Sequence, residues 1–204
     1  EIASCLVGSE MCIRDRYIPL LAESGKQFLV LGNMNHITFK EIFHYFRENK
    51  MWLGYNAGHF WFKVPDYYEA KNTDYKQDED GQKWRRLGNI CWFTNMDIDI
   101  RHQFLDLYKH FSIQEYPEYD NYDAYFVKTV AEIPCDTDKP LAVPITFLSS
   151  FSPDQFELLD ANQFRKYDEV PVKSHGLIKD KDGTIKGKAT YARLLVRNRN
   201  PEKE

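Results

Sequence analysis

The stretch from Tyr17 to Leu53 constrains the fold more than any other part of the chain. "YIPLLAESG" (17–25) reads as the end of a helix, with Gly25 as its stop. Phe28 to Leu31 is a continuous apolar run of the kind expected of a strand covered on both faces. Gly32, Asn33, Met34 and Asn35 read as a turn. In "HITFKEIFHYFRENK", Ile37, Ile42, Phe43 and Phe46 stand near helical spacing and predict one amphipathic helix. Met51 to Leu53 then reads as a second buried strand. Helix, strand, helix and strand joined by short links predict an α/β sheet with parallel strands.

The pattern changes after Leu53. "GHFWFKVP" is aromatic and β-prone up to Pro65, and "KWRRLGNICWFTNMDI" repeats that character. These predict an antiparallel aromatic strand pair, joined by a long acidic connection (66–82) that carries an Asp80–Gly81 turn. Farther on, the pattern predicts a helix over Ile100–Phe111 and a short strand after "YPEYDNYDAYFV". Ser152–Pro153 opens a helical turn, and a C-terminal hairpin turns at Asp182–Gly183 before a strand over Tyr191–Val196.

The charge is unevenly distributed. Residues 163–204 hold 11 Lys or Arg against 6 Asp or Glu, although the whole chain is at −4. A basic tail on an acidic body suits a polyanion contact, and a solvated basic hairpin is the alternative. With 204 residues and 43% apolar content the chain can bury a sizeable core. No apolar run has the length of a membrane span, and no basic segment precedes the short patch Ala3–Val7, so neither a membrane anchor nor a secretory signal is expected. Cys5, Cys12, Cys91 and Cys135 show no paired spacing, which fits a reducing, cytoplasmic setting.

Several chemistries leave no trace. "GYNAG" (54–58) lacks the spacing and the Lys of a phosphate loop, and no Gly-x-Ser-x-Gly elbow occurs. The six His form no local metal-ligand spacing, so no metal is expected. The polar and aromatic residues at strand ends remain. Asn33 and Asn35 follow the carboxyl end of the strand 28–31, where open α/β sheets bind ligands, and an Asn amide pairs well with a nucleobase edge. A left-handed turn at Asn33 and a helix cap at Asn35 explain the same residues without a ligand. Trp61, Trp92 and Phe93 could stack on an extruded base or simply form core. Lys83, Arg85 and Arg86 could meet phosphates or keep a strand start soluble.

Five blocks in order, "FLVLGNMNHITFKEIF", "MWLGYNAGHFWFKVPDYY", "GQKWRRLGNICWFTN", "YPEYDNYDAYFV" and "VPITFLSSFSPDQFELL", resemble the C-terminal half of EcoRI-type adenine-specific DNA methyltransferases. The resemblance runs from Tyr17 to about Arg197 and is weakest over 162–190. It implies an enzyme of a restriction-modification system that transfers a methyl group from S-adenosylmethionine to the exocyclic amine of adenine in double-stranded DNA. It also implies the C-terminal half of a Rossmann-like sheet over 17–111, with a C-terminal extension over 112–204 whose basic hairpin contacts DNA. Asn33 and Asn35 would lie at the pocket edge, with Trp92 and Asn95 in the strand pair beside it and Lys83, Arg85 and Arg86 on DNA.

The family's Asn-Pro-Pro-Phe motif does not occur in the sequence. Where it would stand is "SCLVGSEMCIRDR", which resembles sequencing-adapter read-through at the end of a translated metagenomic fragment. Residues 1–16 are therefore expected to be artefactual or disordered, and 17–204 a partial domain. Such a chain is expected to be catalytically inactive, to bind cofactor weakly and to be marginally soluble. A non-enzymatic nucleic-acid-binding α/β module is the alternative.

Overall fold

In the computed structural model the residues described are 3–5, 17–55, 58–69, 74–119, 123–159, 175–179, 185–189 and 193–203. Helix α1 (Ile18–Glu23) has Pro19 in its first turn, where the missing N–H costs nothing, and ends in Gly25 at φ 67°. Strand β2 (Phe28–Asn33) follows, then a 3₁₀ turn (Met34–Thr38) and helix α2 (Lys40–Arg47). The turn expected at 32–35 is thus displaced: Gly32 and Asn33 remain in the strand, and the single expected helix is split at Phe39, whose backbone is extended. The four apolar residues that predicted it are all buried. Each buried Ile or Phe contributes about 1.5–3 kcal/mol. Tyr45 of α2 donates to Glu23 Oε1 at 2.8 Å and ties the two helices together.

The organising strand is β6 (Lys83–Thr94), 12 residues long. Its second half lies between β2 on one edge and the short strand β3 (Trp52–Leu53) on the other, antiparallel to both. Its first half pairs with β4 (Gly58–Lys63) and β5 (Tyr75–Gln77), also antiparallel. The expected parallel sheet is corrected here. β2 and β3 run in the same direction, but β6 is inserted between them, because Cys91 and Phe93 supply the buried surface that a two-residue β3 cannot. Burial on both faces of β2 is corrected too. Phe28 and Val30 are fully buried, whereas Leu29 and Leu31 are half-buried.

Of residues 1–16, only Ala3–Cys5 is described, as strand β1, parallel to β2 in the register Ala3↔Phe28 to Cys5↔Val30. The remainder of that segment lies outside the described residues.

The expected helix over Ile100–Phe111 is replaced by a 3₁₀ turn (Asp99–His102) and an extended segment. Its backbone groups find partners elsewhere. Gln155 clamps Leu105 from both sides, accepting from its N–H at 2.7 Å and donating to its C=O at 2.8 Å. Phe111 N–H donates to Asp136 Oδ1 at 2.7 Å, and Lys109 C=O accepts from Cys135. Tertiary partners therefore override the local helical pattern.

A second sheet holds the C-terminal part. Its order among the described residues is β10 (Phe156–Leu158), β13 (Arg193–Asn198), β9 (Leu141–Pro144), β8 (Tyr125–Phe126), β7 (Glu118–Tyr119), β11 (His175–Lys179) and β12 (Ile185–Ala189). Only β8–β9 is parallel within it among those strands. The β11–β12 pairing agrees with the expected hairpin, but its turn at Asp182–Gly183 and Tyr191 lie outside the described residues. Ser152 C=O accepts from Gln155 and Phe156, so the expected helical turn forms, and β10 follows it directly. One core joins the sheets: Ile18, Phe28, Phe46 and Phe93 from the first half pack with Leu141, Phe147, Phe156 and Val196. The architecture is α/β, with mixed and antiparallel sheets and few helices. No helix among the described residues is long and apolar enough to cross a membrane.

Candidate DNA-facing ribbon and sheet edge

At the carboxyl end of β2, Asn33 Oδ1 accepts the Asn35 N–H at 2.9 Å and caps the 3₁₀ turn. Asn35 is exposed, so its own amide faces outward beside that cap. The close packing behind this edge depends on Gly32. A Cβ there would meet the Phe93 ring at 2.6 Å. Asn33 is paired with Ile90 of β6, and Ile90 is paired with Gly58 of β4, so three strands converge at this point.

The same point is where β6 bends. Between Gly58↔Ile90 and Phe60↔Leu87 the register slips, leaving an extra residue in β6, and Asn89 takes φ 57° to absorb it. Asn enters this left-handed region more readily than most residues. Beyond the bulge, β4, β5 and β6 form a three-stranded ribbon.

One face of the ribbon alternates cations with indoles. Lys76 Nζ lies 4.6 Å from the centre of the Trp61 ring and 5.7 Å from that of Trp84. Lys63 lies 5.3 Å from Trp84, and the Arg86 guanidinium 6.0 Å from Trp61. Arg86 is also paired with Asp74 at 2.7 Å, and Trp84 donates its indole N–H to Asp78 at 3.0 Å. That bond is the main reason the Asp78 carboxyl sits below the usual carboxylate range. Trp61 is 37% exposed at the end of this row. Such an arrangement holds flat, electron-rich faces and positive groups at the surface together, the combination that suits stacking on bases and contact with phosphates.

The seven residues singled out from sequence fall into three places. Asn33 and Asn35 form the edge just described. Lys83, Arg85 and Arg86 start the ribbon strand: Lys83 donates to the carbonyls of Asp66 and Tyr68, Arg86 is held by Asp74, and the exposed Arg85 lies over the Tyr68 ring at 5.6 Å. Trp92 and Asn95 lie at the other end of β6. Trp92 is half-buried opposite Leu31, and Asn95 bridges two backbone groups, accepting from Phe28 at 2.9 Å and donating to Lys26 at 2.8 Å. Phe93 is fully buried edge-on to Phe46, so it offers no face to a base.

Sequence reading missed Lys63, Lys76 and Trp84. Their period-2 alternation is visible in the strands, but only the register of β4, β5 and β6 puts them on one face. In the basic C-terminal segment, Arg193 donates to Val127 C=O at 2.8 Å, Arg197 pairs with Glu157 at 3.5 Å and Arg199 donates to Phe156 C=O. Three of those charges are thus turned towards the chain itself.

A cavity of about 340 Å³ opens elsewhere, lined by Lys109, Glu115, Tyr116, Phe126, Lys128 and Glu132. None of the seven residues borders it.

Comparison with known proteins defines the class: adenine-specific methyltransferases. The family model described as "Adenine-specific methyltransferase EcoRI" matches residues 11–199, and the chain belongs to that family. It is 39% identical over 191 residues to the Type II methyltransferase M.EcoRI of Escherichia coli, a match covering 92% of this chain and 55% of that protein. It is 35% identical over 194 residues to the Type II methyltransferase M.MpnI of Mycoplasma pneumoniae, covering 90% of this chain and 60% of the relative. The Type II methyltransferase M.MgeORF184P of Mycoplasma genitalium is 34% identical over 192 residues, with 89% and 60% covered. The chain therefore spans rather more than half the length of these relatives. No solved structure matches it.

Proposed function

We propose that this chain is the part of a site-specific DNA adenine methyltransferase that faces the DNA and borders the target-base pocket. The methyl donor of the complete reaction is S-adenosylmethionine, the acceptor is the exocyclic amine of adenine in duplex DNA, and the setting is a cytoplasmic restriction-modification system. The observation that carries this reading is the family match over residues 11–199, supported by the 39% identity to a Type II methyltransferase. In it, β2, β3 and the second half of β6, with α1 and α2, belong to the C-terminal half of a Rossmann-like domain over 17–111. Asn33 and Asn35 line the rim of the base pocket, Arg85 and the Trp61–Lys76 row meet the DNA backbone and bases, and Trp92 and Asn95 hold the strands that position that rim.

Among the described residues no site is built for the cofactor. The 340 Å³ cavity sets Lys109 and Lys128 against Glu115 and Glu132, so its charge does not select a sulfonium cation. At the sheet edge, the Phe93 ring fills the space beside Gly32. No step is assigned to the cofactor on these residues, and the chain alone is proposed not to transfer a methyl group. The sequence contains no Asn-Pro-Pro-Phe motif to grip and polarise the amine.

The test is transfer of a labelled methyl group to duplex DNA. It compares the chain alone with a chimera in which the upstream part of the Escherichia coli relative precedes Tyr17. Transfer by the chimera alone is expected. Turnover by the 204-residue chain contradicts the proposal, and DNA binding by a folded chimera without any transfer favours a non-enzymatic nucleic-acid-binding module.

A further inference from the structure

Three stretches without regular secondary structure meet beside the second sheet: 103–111, 133–136 and the tail beyond Asn198. Hydrogen bonds tie them together. Cys135 N–H donates to Lys109 C=O at 2.8 Å, Glu202 N–H to Cys135 C=O at 2.9 Å, and Asn198 Nδ2 to the same carbonyl at 3.2 Å. At the junction His110, Cys135 and Asp136 each present one donor atom, all within 4.8 Å of one another.

The separations match those of a metal site. His110 Nδ1 lies 3.2 Å from Asp136 Oδ2 and 3.8 Å from Cys135 Sγ. Around a tetrahedral zinc ion, ordinary metal–ligand lengths put nitrogen and oxygen about 3.3 Å apart and nitrogen and sulfur about 3.6 Å apart. Asp136 is already oriented, since its other oxygen accepts the Phe111 N–H at 2.7 Å. The thiol is buried while the His110 ring is 74% exposed, which leaves the ion a path in from solvent.

We propose that His110, Cys135 and Asp136, with a water molecule in the fourth position, bind one zinc ion that staples the segment 103–111 to the stretch 133–136. A mixed nitrogen, sulfur and oxygen set suits zinc better than magnesium or calcium, which take oxygen. Binding displaces the thiol proton to solvent and leaves a thiolate on the metal. A bare His110–Asp136 ion pair is the alternative use of these residues. With the His110 ring largely in solvent such a pair contributes little, and it has no need of a buried thiol beside it.

The experiment uses the full chain carrying Cys5→Ser and Cys12→Ser, stripped with a chelator and titrated with Zn²⁺ or Co²⁺ alone. Expected are one ion per chain, a cobalt spectrum of tetrahedral form with a thiolate charge-transfer band, and a raised melting temperature. Cys135→Ser should abolish the thiolate band. His110→Ala, at an exposed position that leaves the fold intact, should weaken affinity at least about tenfold. No uptake, an octahedral cobalt spectrum without the thiolate band, or unchanged affinity in His110→Ala would each overturn the proposal.

Discussion

At the scale of single residues, the strand ends separate side chains that hold the sheet from those that face outward. Asn95 holds it: replacing it with Ala leaves Phe28 N–H and Lys26 C=O without their partner. Asn95→Ala is predicted to destabilise the fold by about 1–3 kcal/mol in denaturant unfolding. Gly32→Ala should cost a similar amount, about 1–3 kcal/mol, since the Phe93 ring has to leave its place in the core to make room. Two buried phenols set a pH dependence. Burial, followed by the Glu23 hydrogen bond, pushes Tyr45 up to about 12, and burial pushes Tyr116 up to about 12. Because the folded values lie above the usual value near 10, the unfolded chain ionises first. Stability is therefore full below about pH 10 and is lost as pH rises towards 12. Melting temperatures of Tyr45→Phe and Tyr116→Phe should fall less steeply over that window than those of the unsubstituted chain. The residues of the candidate site were legible as types, but the identity of each partner was not. Nothing in the sequence near Asn95 points to Phe28, which is 67 positions away.

At the scale of elements, β6 explains both what was legible and what was not. The aromatic strand pair and the Asp80–Gly81 turn, which joins β5 to β6, were readable, because period-2 alternation and turn residues are local signals. The insertion of β6 between β2 and β3 was not, since strand order depends on which edges need covering and no local pattern encodes that. The segment 100–111 failed for a related reason: Gln155 and Asp136, far along the chain, supply the backbone partners that a helix would have used. The bulge at Asn89 gives this element its bend. Asn89→Val is predicted to destabilise the chain by about 1–2 kcal/mol, and Asn89→Gly to be nearly neutral, by thermal melting. If the ribbon meets DNA, Arg85→Ala should reduce the steepness of the salt dependence of duplex binding by about one phosphate contact. Trp61→Ala should weaken binding by about 1–3 kcal/mol at fixed salt. Unchanged binding in both variants would move the DNA-facing surface elsewhere on the molecule.

At the scale of the whole molecule, one core joins two sheets, and the comparisons agree with the resemblance carried by five sequence blocks. Those blocks span both halves of the fold, so membership was legible even where strand order was not. A block of sequence preserves packing partners without stating how they are arranged. The seven-stranded second sheet was foreshadowed by its C-terminal hairpin, the strand expected over Tyr191–Val196 and a short strand near "YPEYDNYDAYFV", but its order was not, because strands of two residues such as β7 and β8 carry no periodic signal of their own. The most direct measurement of the central claim is nucleoside analysis of duplex DNA after incubation with S-adenosylmethionine and the chimera carrying Tyr17–Glu204. The account predicts label in N6-methyladenine, and none after incubation with the 204-residue chain alone. Label in methylcytosine, or N6-methyladenine made by the chain alone, would contradict it.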